Sequence, residues 1–153
     1  EFEVVILGSG DGGWEERYKW LSTFYPKYIS CNFRFDDDLA HQIYAASDFI
    51  IIPSRYEPCG LIQMIAMLYG TIPIAHNTGG LKDSIKDGHN GFLFSNYDSE
   101  YLEKSVREAV SIWKNDKESF EKIVQNALST DFSWDKSAKA YLSLYDKLVN
   151  NTL

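Results

Sequence analysis

The feature that most limits the possible folds is a pair of short apolar runs, each followed by a glycine-containing loop. Residues 48–53 read DFIIIP and residues 71–76 read TIPIAH. A continuous apolar run of this length, without polar alternation, is typical of a strand buried on both faces of a parallel sheet. Parallel strands need a long crossover, and the helix-length stretch at residues 60–68 supplies one. The two runs therefore predict a βαβ unit.

Strand and helix signals alternate over the first two thirds of the chain. The predicted strands cover residues 2–7, 28–33, 48–53 and 71–76, and residues 89–94 are predicted as a turn into another short strand. The predicted helices cover residues 15–25, 36–47, 60–68, 81–85, 101–113, 117–128 and 133–149, with Ser133 as an N-cap. This order predicts an α/β fold, a Rossmann-like doubly wound parallel sheet with a helical C-terminal segment, as one domain over residues 1–153. Ligands bind such sheets at the carboxyl ends of the strands, where the glycine-containing loops begin.

Composition excludes several classes of function. The chain has 153 residues, 44% of them hydrophobic, which is enough for a single packed core. The net charge of -7 argues against a nucleic-acid partner and against a basic helix that binds membranes. No apolar run is long enough to span a bilayer, and no signal-peptide pattern is present. The chain opens inside a strand without an initial Met, which indicates a piece of a longer protein.

The two glycine-containing loops have the composition of a site for a phosphorylated sugar. Cys59, Gly60 and Leu61 stand at the predicted start of a helix, where free backbone N–H groups attract anions. Glu57 precedes them and is suited to accept hydrogen bonds from sugar hydroxyls. Residues 78–80, TGG, are a second place where the backbone can approach an anion, although the two glycines could form only a turn.

Other motifs carry less weight. The GSGD at residues 8–11 lacks the third glycine of a dinucleotide fingerprint and is interpreted as a turn. The acids at residues 36–38 are interpreted as helix caps, not metal ligands. Cys31 and Cys59 have no zinc-site spacing; a reduced setting is favoured, with one long-range disulfide left open. Three scattered histidines are expected to be surface or packing residues: His41, His76 and His89.

Residues 53–85, PSRYEPCGLIQMIAMLYGTIPIAHNTGGLKDSI, resemble the nucleotide-sugar-binding half of bacterial glycogen synthases and plant starch synthases. These are retaining glucosyltransferases of the two-Rossmann-domain (GT-B) type, and the match would be to their C-terminal domain. Further matches are LGSGD at 7–11, NGFLF at 90–94 and FSW at 132–134. The resemblance therefore covers nearly the whole chain.

The resemblance implies a role for each loop. It makes Glu57 the catalytic-site residue that contacts the hydroxyls of the donor glucose. It assigns donor binding to the helix start, the TGG loop and one aromatic side chain: Cys59, Gly60, Leu61, Thr78, Gly79, Gly80 and Phe35. Phe35 falls where the family has an aromatic ring that stacks on adenine, with core packing as the alternative. Many relatives of the same architecture carry a second glutamate where this chain has Ile65, and the glycogen and starch synthases generally lack it, so the resemblance favours these synthases.

The implied reaction transfers glucose from ADP-glucose to the non-reducing end of an α-1,4-glucan with retention, without a metal or other cofactor. The family's acceptor-binding N-terminal domain and its diphosphate-binding Arg and Lys lie upstream of the matched region. The chain alone is therefore expected to bind ADP but not to transfer glucose, in the bacterial cytoplasm or in a plastid. The alternatives are a related GT-B enzyme that uses another donor such as UDP-glucose, or a non-catalytic nucleotide-sugar-binding module.

Overall fold

The computed structural model describes residues 2–150 and divides into two compact units. The first ends at Ser47 and the second begins at Asp48. Every pair of neighbouring strands in both units is parallel. The predicted parallel α/β class is confirmed.

Five strands and seven helices are found in the described residues; they alternate as far as the fifth strand, and the last three helices then follow one another. The strands are β1 (Val4–Leu7), β2 (Ile29–Asn32), β3 (Phe49–Ile52), β4 (Ile72–His76) and β5 (Phe92–Phe94). The helices are α1 (Gly12–Phe24), α2 (Asp37–Ala46), α3 (Ile62–Leu68), α4 (Gly79–Ser84), α5 (Ser99–Asn115), α6 (Lys117–Leu128) and α7 (Trp134–Val149).

The first unit contains a two-stranded sheet, in which β1 pairs with β2 from Val4↔Ile29 onward. Helix α1 begins three residues before its predicted start because Asp11 caps it and accepts hydrogen bonds from Gly13 and Trp14 N–H. The prediction that β1 is buried on both faces is wrong, since Val5 is 45% exposed. The face of β1 that carries Val5 is therefore partly open to solvent in this unit.

The second unit contains a three-stranded sheet in the order β3-β4-β5. The central strand β4 is the most buried, with Ile72 through Ala75 all inside, whereas Ile51 of β3 is 45% exposed. Helices α3, α5 and α6 contribute to the same core. Its buried members are Ile52, Met67, Ile72, Ile74, Ala75, Leu81, Ile85, Phe92, Ala109, Ile123 and Ala127. All of them belong to the second unit, which is therefore built around its own apolar core.

Two helices differ from prediction at their first residues. The helix predicted from residue 60 begins at Ile62, because Gly60 has φ +70°, a left-handed conformation that does not continue a helix. The helix predicted from residue 81 begins at Gly79. The Ser133 cap of α7 is confirmed, because its Oγ accepts from Lys136 N–H at 3.3 Å. Parallel strands β3, β4 and β5 end at one edge of their sheet, so the loops after Ile52 and His76 share that edge.

Candidate nucleotide-sugar site

The β3–α3 loop, residues 53–61, and the first turn of α4 are in direct contact. The Gly80 N–H donates a 2.8 Å hydrogen bond to the Glu57 carbonyl oxygen. A Cβ at Gly79 would overlap that same oxygen. A Cβ at Gly80 would overlap the Cys59 carbonyl oxygen and lie 2.7 Å from Cys59 Cα. The two predicted loops therefore form one interlocked backbone structure.

This contact gives the glycines of the TGG sequence a role in packing the two loops together. Gly79 and Gly80 are not only a turn, because they begin α4 behind the N-cap Thr78. Gly79 has φ +46°, which disfavours any side chain. The atoms that a side chain would meet are main-chain atoms of Glu57 and Cys59, which cannot rotate away. Glycine at both positions is a requirement of the close approach between the loops.

On the β3–α3 loop, Gly60 also lies too close to its neighbours to carry a side chain. A Cβ there would lie 2.6 Å from Gln63 Oε1 and 3.0 Å from Glu57 Cγ. The side chain of Glu57 and the amide of Gln63 therefore border the same face of Gly60. Gln63 is fully buried and was not among the predicted site residues. Its signal in the sequence is that it is the one polar residue between residues 61 and 68.

The predicted side chains differ in exposure. Glu57 and Thr78 are half-buried, whereas Cys59 is exposed and carries a free thiol. Leu61 is 65% exposed and occupies the N-cap position of α3. Thr78 makes no side-chain capping bond to α4. The structure thus brings together Glu57, Cys59 and the three predicted glycines, with Leu61 and Thr78 next to them in the chain.

His76, interpreted from sequence as a surface or packing residue, connects the end of β4 to the β3–α3 loop. Its Nδ1 lies 2.9 Å from the Ser54 carbonyl oxygen, and because a carbonyl only accepts, Nδ1 carries the proton. The ring centroid is 5.4 Å from that of Phe94 and 5.3 Å from that of Tyr97. Its signal in the sequence is its position as the last residue of a strand that precedes TGG.

Phe35 belongs to the first unit, in the segment between β2 and α2. Its side chain is 90% exposed, so the alternative that it packs in a core is wrong. On either side of it, Arg34 and Asp36 form an ion pair at 2.8 Å. Asp36 caps α2 and accepts from Leu39 N–H at 3.0 Å. That hydrogen bond, followed by the one from Arg34, lowers the pKa of Asp36 from its usual value of 3.8.

The structure shows how the acidic and cysteine side chains are arranged over residues 2–150. Within them, no group of three or more His, Cys, Asp or Glu is arranged to hold a metal ion. The acids at residues 36–38 cap and open α2, as predicted. Cys31 and Cys59 are both free, so they form no disulfide. No helix in this part of the chain has the length and apolar character to cross a membrane.

With this geometry established, comparison with known proteins defines the class. The family described as glycosyl transferases group 1 matches residues 1–129. That match spans most of the chain, and the chain belongs to this family.

The most similar relatives narrow the class further. The chain is 49% identical to a glycogen synthase of Pseudothermotoga lettingae over 97% of its own length and 46% identical to one of Thermosipho melanesiensis over 100%. It spans 32% and 33% of those two proteins. Among solved structures it resembles the catalytic domain of starch synthase IV from Arabidopsis thaliana, bound to ADP and acarbose, with a TM-score of 0.84 and 38% identity. That match covers 97% of this chain and 32% of the other.

Proposed function

We propose that this chain is the donor-binding part of a glycogen- or starch-synthase-type glucosyltransferase that uses ADP-glucose. The full protein would transfer glucose to the non-reducing end of an α-1,4-glucan with retention. The chain is similar along nearly all of its length to glycogen synthases and to a starch synthase structure that contains ADP. It spans only about a third of them, and in this proposal residues outside the chain supply the acceptor side of the reaction.

The observation that carries the proposal is the interlock between the β3–α3 loop and α4. A nucleotide sugar has a diphosphate and a sugar side by side, so its site must hold two sets of groups at a fixed separation. The Gly80–Glu57 hydrogen bond and the main-chain contact of Gly79 fix the separation of the two loops. Preorganised polar groups of this kind lower the cost of binding and of reaching the transition state.

Within this site each group has a distinct proposed task. The half-buried carboxylate of Glu57 accepts hydrogen bonds from hydroxyls of the donor glucose. The Gly80 N–H is already used by Glu57 O, so among the glycine amides of α4 the Gly79 N–H is the one proposed to face the diphosphate. The Thr78 hydroxyl, which does not cap its own helix, is proposed as a second donor to the same group.

In the proposed reaction the bond between the anomeric carbon and the diphosphate oxygen breaks, and its electron pair leaves with ADP. The acceptor hydroxyl attacks from the same face and forms the new glycosidic bond, while its proton passes to the departing phosphate. The donor loops hold the leaving group and the sugar in register during this exchange. The proposal requires no metal, and it requires the acceptor domain for turnover.

Calorimetric titration with ADP and with ADP-glucose tests these roles separately. Glu57→Gln should weaken ADP-glucose by about tenfold or more, the equivalent of losing hydrogen bonds to a charged group, and leave ADP unchanged. Gly79→Ala should weaken both ligands because it disturbs the loop contact. Glu121→Gln, on the exposed surface of α6, is the matched control and should change neither.

UDP and UDP-glucose serve as the competing ligands. Preference for ADP over UDP supports the proposed donor. Equal affinity for the two nucleotides, or a preference for UDP, would contradict the ADP-glucose proposal and favour a related GT-B enzyme that uses a uridine donor. Nucleotide binding without any glucan elongation by the full-length protein would point to the non-catalytic module.

A further inference from the structure

The amide of Gln63 lies at the centre of the contact between the two loops. The residue is completely buried, in the first turn of α3. Its Nε2 donates to the Gly60 carbonyl at 2.8 Å and to Ser84 Oγ at 3.0 Å, with the Cys59 carbonyl at 3.3 Å. Two of these acceptors are carbonyl oxygens, so the nitrogen end of the amide must face them. The orientation of the amide is therefore determined by its surroundings.

Ser84 continues this connection into α4. Its Oγ receives the hydrogen bond from Gln63 and donates to the Gly80 carbonyl at 2.8 Å. A continuous path of three hydrogen bonds thus runs from Gly60 through Gln63 and Ser84 to Gly80. One end is the β3–α3 loop and the other is the first turn of α4. Together with the direct bond between Gly80 and Glu57, the path joins these segments twice.

We propose that Gln63 is a positioning residue that sets the separation of the two donor-binding loops through Ser84. It does so without touching the donor, because its amide is enclosed by protein. This inference rests on the proposed function for its consequence in catalysis, but the geometric claim stands on the free protein. An apolar side chain would fill the same space, yet it could not hold the Gly60 carbonyl and Ser84 Oγ toward each other.

The unpaired oxygen of the amide supports a positional role. Gln63 Oε1 is buried and has no hydrogen-bond partner within the described chain. An unpaired buried acceptor is unfavourable, so a residue chosen only to stabilise the core would be apolar here. The residue is nevertheless a glutamine, and it lies next to Gly60, whose missing side chain leaves room for Oε1. The amide nitrogen of Gln63 therefore contributes through its hydrogen bonds to the Gly60 carbonyl and Ser84 Oγ.

The test compares Gln63→Met, Ser84→Ala and the double variant with Ile123→Val. Methionine has the length of glutamine but no hydrogen-bond donor. Ile123→Val removes one methylene from the buried face of α6, distant in sequence from both loops, and controls for a general loss of stability. The first measurement is amide hydrogen exchange at Gly80 in the protein without ligand. The second is the dissociation constant for ADP.

Gln63→Met should raise the Gly80 exchange rate at least tenfold more than Ile123→Val does, at comparable global stability. Ser84→Ala should do the same, and the double variant should add little, because both residues lie on one path. ADP affinity should fall about tenfold in these variants and stay unchanged in Ile123→Val.

If Gly80 exchange follows only global stability in all variants, Gln63 is an ordinary core residue and the inference is wrong. If wild-type protein binds no nucleotide while the exchange pattern holds, the proposed function fails and the positioning role stands. Should Gln63→Met not fold, Ser84→Ala alone decides the outcome.

Discussion

Replacing Gly80 with alanine puts local helix propensity and tertiary packing in opposition. Gly80 is the second residue of α4, and its φ is not in the left-handed region. Propensity alone predicts that alanine stabilises the helix by up to about 1 kcal/mol. The structure places the new methyl group against the backbone of Cys59, where no rotation relieves the overlap. Overpacking of this kind costs roughly 1–3 kcal/mol.

The substitution also weakens the 2.8 Å bond from the Gly80 N–H to Glu57 O, whose net contribution is about 0.5–1.5 kcal/mol. The balance is a destabilisation of roughly 1–3 kcal/mol. Gly12 is the matched control: it is the first residue of α1, and a Cβ there meets no atom within 4 Å. Gly12→Ala should therefore stabilise its unit by up to about 1 kcal/mol.

The assay is urea unfolding followed by residue-resolved NMR, reading β4 for Gly80→Ala and β1 for Gly12→Ala. We expect the urea midpoint to fall for β4 in Gly80→Ala and to rise for β1 in Gly12→Ala. If Gly80→Ala stabilises β4 as Gly12→Ala stabilises β1, the loops are not in contact at this residue and the interlock does not exist.

Three further predictions concern the side-chain hydrogen bonds of one residue each. The hydrogen bond from the Ser119 N–H lowers the pKa of the Asp116 carboxyl group below 3.8, so this cap stabilises α6 above that pH and loses its effect as the pH falls further. The difference in melting temperature between wild type and Asp116→Ala should therefore shrink from pH 5 to pH 2. A constant difference would contradict this prediction. His76→Phe keeps an aromatic ring but leaves the Ser54 carbonyl unpaired, so urea unfolding should show a loss of about 0.5–1.5 kcal/mol, and an unchanged midpoint would show that the bond is unimportant. Asn90 is buried; its side-chain oxygen accepts from the Lys86 N–H and its side-chain nitrogen donates to the Ser84 carbonyl oxygen. Asn90→Ala should therefore lower the free energy of unfolding by more than about 2 kcal/mol in the same assay.

Much of the fold follows from local signals in the sequence. Continuous apolar runs identified the strands because a central parallel strand such as β4 is buried on both faces. Ser133 and the acids at residues 36–38 were recognisable as caps because a capping hydrogen bond joins residues two or three apart. Both partners of such an interaction lie within a short stretch of sequence, so the sequence alone predicts it.

Features that depend on distant residues were not predictable in the same way. The exposure of Val5 depends on which elements pack against the faces of its sheet. The late start of α3 depends on the left-handed conformation of Gly60, which is tied to the packing of Gln63 and Glu57 around it. The role of His76 depends on the Ser54 carbonyl 22 residues away. Each of these requires the tertiary structure.

In the candidate site too, some residues were predictable from the sequence and others required the tertiary structure. Glu57, Cys59 and the TGG segment were identified from loop chemistry and family resemblance, and the structure places them in contact. Gln63 was missed because a single polar residue in an apolar helix is ambiguous until its partners are known. Its connection to Ser84 joins residues 21 positions apart, beyond the reach of any local pattern.

The most direct test of the central claim is to map ADP onto the protein by NMR, with amide chemical shifts followed to saturation and UDP as the comparison. We expect the largest chemical-shift changes on the β3–α3 loop and on residues 78–81, with half-saturation at a lower concentration of ADP than of UDP. Shifts confined to residues away from these two segments, or no shifts at millimolar ADP, would contradict the claim that the interlocked loops form the donor site.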